Sequence, residues 1–476
     1  MRPAVERGGL PGWAGLPALV LAACTASGTA PDAGYVALGA AVDALAEQAL
    51  AGGPIAGLSV AVLRGDVLVL NEGYGAADRE RGIAATADTV YDIASVSKLL
   101  TAAAVLRLVD ERLVRLDDDV ASLLAAFPNR DQGRRITLQQ LLSHTSGLAD
   151  YEEADTERVL ADGTPLTTAF VLEFLRDRPL EFEPGSRWSY SNTGFYLLAL
   201  VVEQVTGRSF GDYLREEVTM PLGLAATFPC DDDRLPDRRA RGYRARDGGL
   251  VPSLLYALPD LLGDGGLCST AADLARLPTA LQNSGVLSKA SLERMRARTR
   301  LPGGVAVDYG LGVRRGTLDG RPLWGHTGGQ QTYWSTVAAY PRDGVTIAVL
   351  VNTDGAPEDA LTIEGNVARL VLGLGAAQLR EVAPSRAELR ACSGRYGNAA
   401  DSIRIFSEGG RLLREVPGGN RAPLPLLYQG NGAWGRADYP MDRLVFHTAG
   451  GRTVGLSEYY NGVFATYRHA LSGGED

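Results

Sequence analysis

Lysine is nearly absent from this chain. Of its 47 basic residues 45 are arginine, and only Lys98 and Lys289 are lysine. Cysteine and histidine are also scarce, at 4 residues each. None of the histidines (His144, His326, His447, His469) pairs as HxH or HExxH, and the cysteines lack zinc-ligand spacing, so no metal is expected. No GxSxG elbow occurs, and neither lysine follows the glycine that a phosphate-binding loop requires. GLGVRRG at 310–316 is a poor match to a dinucleotide loop and lies in a strand-rich region. No cofactor is therefore expected. The net charge of −9 and short basic runs such as DRRARGYRAR at 237–246 argue against a nucleic-acid partner. Beyond the N-terminus no apolar run is long enough to cross a bilayer.

What is present reads as a core-forming chain, 45% hydrophobic over 476 residues and comfortable for two domains. Arg2 and Arg7 precede the short apolar stretch WAGLPALVLAAC, the pattern of a secretory signal. Its end, Leu21-Ala22-Ala23-Cys24, resembles the lipobox of bacterial lipoproteins, which implies lipidation at Cys24 and an extracytoplasmic, membrane-anchored protein. Cys230, Cys268 and Cys392 then remain, enough for one internal disulfide, and whether Cys230 and Cys268 pair is open.

Residues 1–24 are thus expected as signal and lipobox, and 25–39 as a tether. A helix is expected in VALGAAVDALAEQALAGG (36–53), then a strand–turn–strand in GLSVAVLRGDVLVLNEGYG (57–75). Apolar residues at helical spacing follow from about 95, and 120–225 reads as mostly helical. Strand patterns return over 305–352, and EDALTIEGNVARLVLGL (358–374) closes with a helix. This order predicts an α+β fold over 40–376: an antiparallel sheet flanked by helices, with a helical subdomain in the middle. A linker is expected at 377–388. Short alternating segments broken by Gly, Asn and Asp in 389–472 read as a small antiparallel barrel or sandwich, and a C-terminal antiparallel β-barrel domain is expected over 389–476.

Ser95-Val96-Ser97-Lys98 places a serine and a lysine three residues apart at a helix start, on one face. A serine hydroxyl is a weak nucleophile until a neighbour takes its proton. A neutral amine does this, whereas a guanidinium stays protonated. Apolar neighbours and the positive end of a helix both oppose a charged amine. Lys289, in VLSKASL, reads as an ordinary helix start. At Tyr190-Ser191-Asn192 two readings stand. Asn192 or Thr193 caps the following helix; or Tyr190 shuttles a proton while Asn192 holds a substrate amide and orients Lys98. His326-Thr327-Gly328-Gly329 precedes a strand, and its paired glycines mark close approach of another backbone. A substrate laid along that strand would find backbone N–H groups there and at Ser95 for an oxyanion. His144 and Ser146, in LLSHTSGL (141–148), invite a hydrolase dyad, but a helix ending at a turn closed by Gly147 explains them better.

Ser95-x-x-Lys98, Tyr190-x-Asn192 and His326-x-Gly328, in this order, resemble the serine β-lactamase/DD-peptidase superfamily: class C β-lactamases, DD-peptidases, D-aminopeptidases and related esterases. The resemblance spans about 40–374 and includes LDDDVASLL, GGLCSTAADLARL and YPRDGVTIAVLVN. It implies an acyl-enzyme on Ser95, proton transfer by Lys98 and Tyr190, and substrate binding by Asn192, His326, Thr327 and Gly328. It implies an oxyanion held by the N–H groups of Ser95 and Gly329. The class C lactamases usually carry lysine where His326 stands, and GQQTYWS departs from the Pro/Gly turn of relatives. The implied substrates are D-residue peptides, cell-wall peptides among them, ahead of esters. A β-lactamase, or a non-turning-over penicillin-binding or sensor module, is the remaining alternative. Residues 389–472 resemble the lipocalin-like β-domain of some relatives.

Overall fold

The computed structural model describes residues 33–152, 167–230, 238–252, 263–330, 332–356, 358–379, 381–397, 402–418, 422–436, 439–460 and 463–471. The expected signal segment and Cys24 lie outside them. Helix α1 (Ala33–Gly52) starts earlier than expected, so nearly half of the expected tether is already helical.

Strands β1 (Gly57–Arg64) and β2 (Val67–Asp78) form the expected hairpin. Four later strands, β3 (Arg314–Leu318), β4 (Arg321–Gly329), β5 (Trp334–Tyr340) and β6 (Val345–Val351), join them in one antiparallel sheet. Its order is β3-β4-β5-β6-β1-β2, so the first hairpin docks beside the last strand of the domain. Seven of the eight β1 residues and all of β6 are buried, because helices cover both sheet faces. Val60 and Val62 of β1 and Ile347 and Val349 of β6 pack with α1 and α5 (Ala360–Val371) on one face. Ala61, Leu63, Ala348 and Leu350 point the other way, into the helical core that holds α2 (Ser97–Asp110), α3 (Asn192–Thr206) and α4 (Ala271–Asn283). The period-two side-chain alternation of a strand thus feeds two apolar layers from one sequence.

The expected linker ends in a short helix, Arg386–Cys392, whose first turn is closed by a Ser385–Glu388 capping box. Eight strands follow in sequential antiparallel order, from β7 (Gly394–Gly397) to β14 (Phe464–His469). They close on themselves where Tyr396 bridges Ala470 and the Leu471 N–H donates to the Arg395 carbonyl at 2.8 Å. Tyr396, Ile405, Leu412, Trp434 and Leu456 fill the interior, as expected of a barrel this small. The barrel is not a free appendage. β14 pairs with β3 at Gly316 and Phe464, which makes its strands continuous with the β3-β4-β5-β6-β1-β2 sheet. A side chain at Gly316 would run into the Val463 carbonyl oxygen, so the junction requires glycine.

Candidate active site

The Ser95 turn is built before the helix begins. Ala94 holds φ of 44°, uncommon for a residue with a Cβ. Its N–H donates to Asp92 Oδ1 at 2.8 Å, and the Ile93 carbonyl accepts from the Val96 N–H and from Ser335 Oγ. Residues 94–96 form a single 3₁₀ turn that runs into α2 at Ser97. Ser95 therefore sits at the helix entrance, half-buried, while Lys98 is enclosed completely.

Lys98 Nζ lies 3.0 Å from Ser95 Oγ, 2.6 Å from Asn192 Oδ1 and 2.7 Å from the Asp264 carbonyl oxygen. A neutral amine has two N–H bonds and one lone pair. In that form, with both N–H bonds given to Asn192 and Asp264, the lone pair would face the Ser95 hydroxyl. The helix cap that competed for Asn192 in the sequence belongs to its neighbour: Ser191 Oγ accepts from the Gly194 N–H. Asn192 is then the first helical residue, and its side chain is free for Lys98. Asp150 Oδ2 holds the Asn192 backbone N–H at 2.8 Å and faces its side-chain amide at 3.4 Å.

Tyr190 meets Lys98 with its ring, 4.9 Å from Nζ to the centroid. Arg314 stacks on the same ring at 5.1 Å and donates to the Ala465 carbonyl of the barrel at 3.2 Å. His144 lies against Tyr190 with ring centroids 4.3 Å apart. Ser146 is no partner for His144, because its Oγ accepts from the Leu148 N–H.

At the third element His326, expected to help bind substrate, is buried entirely. Its Nε2 is 3.0 Å from Tyr309 Oη and its Nδ1 2.6 Å from the Thr327 carbonyl, so neither ring nitrogen is available to a ligand. Burial foremost, then the nearby cations Arg314 and Lys98, hold this imidazole well below its usual pKa, and thus neutral. Thr327 is half-buried and Gly329 exposed. The β3 partner of β4 ends at Gly325, which leaves residues 326–329 with one strand edge unpaired by β3.

Gly328 shows why the strand edge can approach Ser95. A Cβ there would lie 2.3 Å from the Ile93 carbonyl oxygen, 2.4 Å from Ser335 Oγ and 3.0 Å from the Ser95 nitrogen. Gly328→Ala must push β4 off the Ser95 turn. Turnover of an activated ester is expected to fall about a hundredfold or more, since misplacement by an ångström costs that much, with far-UV circular dichroism unchanged. Near-normal turnover would show that the contact is not needed.

Two buried carboxylates at this site gave no sequence signal. Burial pushes Asp150 up to about 6, against the pull of the Asn192 and Glu152 N–H groups and of Lys98. Asp264 is also raised by burial and takes a hydrogen bond from Tyr151 Oη. Tyr309 carries no signal in the sequence beyond its place in a strand-rich stretch. Its hydroxyl joins His144 and His326, a link that only the folded chain reveals.

The sequence profile of the family described as Beta-lactamase matches residues 42–372. The chain is 30% identical over 322 residues to Penicillin-binding protein 4* of Bacillus subtilis (strain 168), which covers 63% of this chain and 68% of that protein. It is 32% identical over 280 residues to a D-aminopeptidase of Brucella anthropi, covering 57% of this chain and only 51% of that protein. Among solved structures, the octameric penicillin-binding protein homologue from Pyrococcus abyssi superposes with a TM-score of 0.63 at 25% identity, over 90% of this chain and 99% of that one. The D-amino acid amidase from Ochrobactrum anthropi SV3, complexed with L-phenylalanine amide, gives 0.60 at 25% identity, over 71% and 97%. This chain belongs to the Beta-lactamase family and is a serine hydrolase of the penicillin-binding and D-aminopeptidase type.

Proposed function

We propose that this protein is a D-residue-specific peptidase, of carboxypeptidase or aminopeptidase action, that works through an acyl-enzyme on Ser95. The observation that carries the reading is the position of Lys98 Nζ, between Ser95 Oγ and Asn192 Oδ1 and away from bulk water. Lys98 takes the Ser95 proton as Oγ bonds to the substrate carbonyl carbon. The N–H groups of Ser95 and Gly329 take the oxyanion. The C–N bond then breaks, and the departing amine receives the proton from Lys98 or Tyr190. Water adds to the acyl ester and releases Ser95. Asn192 and Thr327 face the substrate, which lies along residues 326–329 as an added strand. With His326 enclosed, Arg314 beside Tyr190 is the cation placed for a substrate carboxylate.

The D-residue assignment leans on the relatives, among them a D-aminopeptidase and a D-amino acid amidase. Secretion with a lipid anchor on Cys24 belongs to the same proposal. The Cys230–Cys268 disulfide suits an oxidising compartment.

The test is kcat/KM on one matched panel with Ser95→Ala as the blank: a D-Ala-D-Ala peptide, D- and L-alanine p-nitroanilides, a p-nitrophenyl ester and a chromogenic cephalosporin. Preference for D-residue amides is expected. Ester turnover with amides untouched would assign an esterase instead. A stable acyl adduct without turnover would assign a binding or sensing module.

A further inference from the structure

Behind the cleft, four hydrogen bonds run in one direction through three side chains. The chain starts at the Ser191 backbone N–H, which donates to His144 Nδ1 at 3.1 Å. A ring nitrogen that accepts carries no proton, so the proton of neutral His144 is on Nε2. Nε2 lies 2.9 Å from Tyr309 Oη and donates to it. The single Tyr309 proton is then left for His326 Nε2, at 3.0 Å. That nitrogen accepts in turn, so the His326 proton is on Nδ1, donated to the Thr327 carbonyl at 2.6 Å. The two ends fix the whole assignment, because a backbone N–H only donates and a carbonyl only accepts. A second proton on either imidazole would break the chain. It would meet the Ser191 N–H at one ring, or leave Tyr309 Oη between two donors at the other.

The surroundings support the neutral rings. His144, Tyr309 and His326 are all buried. Trp188, Tyr190 and Phe195 pack on His144, and Tyr190 on His326. Burial foremost disfavours a further positive charge on either ring, and the basic groups that face both, Lys98 when protonated and Arg314 always, add to that.

We propose that Tyr309 is a positioning residue of this hydrolase, locking His326 as its neutral Nδ1–H tautomer and so fixing the Thr327–Gly328 peptide beside the Ser95 N–H. The same hydroxyl steadies His144, and through the Ser191 N–H it steadies the turn that carries Tyr190 and Asn192. Tyr309 therefore sets the second and third elements of the site against each other without touching substrate. This rests on the reading of Ser95 as nucleophile, but the tautomers can be measured without any turnover.

The first measurement is long-range ¹H–¹⁵N NMR of the full chain labelled with ¹⁵N-histidine. Four histidines make the spectrum tractable, and single His→Gln substitutions assign it. His144 is expected as the Nε2–H tautomer and His326 as the Nδ1–H tautomer, both unchanged from pH 5 to pH 9. The second measurement is Tyr309→Phe, which keeps the ring packing and removes the hydroxyl. Misplacing a group at the reacting centre by an ångström costs about a hundredfold, so with a smaller shift of the Thr327–Gly328 peptide kcat is expected to fall about tenfold or more with KM within about threefold. The inverse tautomers, or titration of either ring in that range, would overturn the proposal. So would a Tyr309→Phe enzyme whose kcat stays within about twofold. A wild-type protein with the expected tautomers and no turnover of any substrate would overturn the enzymatic reading instead.

Discussion

Lys98→Arg is expected to abolish acylation of Ser95, although charge and approximate length are kept. General-base assistance is worth about 10²–10⁴ in rate, and a guanidinium cannot provide it, because it holds its proton at every accessible pH. The structure adds a steric reason. Lys98 Nζ occupies a space bounded by Ser95 Oγ, Asn192 Oδ1 and the Asp264 carbonyl, all within 3.0 Å. The rings of Tyr190 and Phe195 close two further sides, at 4.9 and 5.6 Å. A planar guanidinium does not fit that outline without displacing Asn192. The measurement is the rate of adduct formation with an activated ester or a fluorescent penicillin, read by mass spectrometry. Loss of about a thousandfold is expected, and acylation within tenfold of wild type would remove Lys98 from the chemistry. Lys289→Arg provides the control. Lys289 opens a short helix capped by Ser288, and the substitution is expected to change nothing.

That one lysine was legible in the sequence because composition isolates it: a chain that uses arginine 45 times keeps lysine at the entrance of a helix, three residues after a serine. The sheet and its helices were legible because their periodicities differ, two for the strands and 3.6 for the helices. Less legible was anything set by contacts distant in sequence. His326 read as a ligand for substrate because its motif says nothing of Tyr309, seventeen residues earlier, or of the Thr327 carbonyl beside it. Asn192 was ambiguous between cap and ligand until Ser191 proved to be the cap. His144 read as structural, and it forms no dyad with Ser146. Yet it packs on Tyr190, because residue 144 with φ of 57° turns its ring back into the site. The barrel was legible as alternating strands, but its continuity with the catalytic sheet, through the pairing of Gly316 with Phe464, is marked by no local pattern.

The same limit hides an ionisable acid in the core, and it yields the largest expected effect on stability. Glu364 lies on α5 with no exposed surface, facing the sheet. Its Oε1 accepts from Tyr340 Oη at 2.8 Å and its Oε2 has no hydrogen-bond partner among the described residues. Burial pushes this carboxyl up to about 8, against the smaller downward pull of the Tyr340 hydrogen bond. An acid whose pKa is raised on folding costs nothing below its unfolded value, where both states are protonated. As pH rises from about 4.5 towards 8 the unfolded chain releases the proton and the folded chain keeps it, so stability falls over that window. A tenfold difference in proton affinity between the two states corresponds to about 1.4 kcal/mol. Glu364→Gln removes the titration while keeping the shape and the acceptor for Tyr340. Near pH 5 the variant is expected to match wild type or fall slightly below it, since the amide brings unpaired N–H groups. At pH 8 its advantage over wild type should be about 3–4 kcal/mol larger than at pH 5. Chemical denaturation of both proteins at the two pH values reads this directly. Parallel curves at both would mean that Glu364 is ionised in the folded protein and that its negative charge is stabilised where it sits.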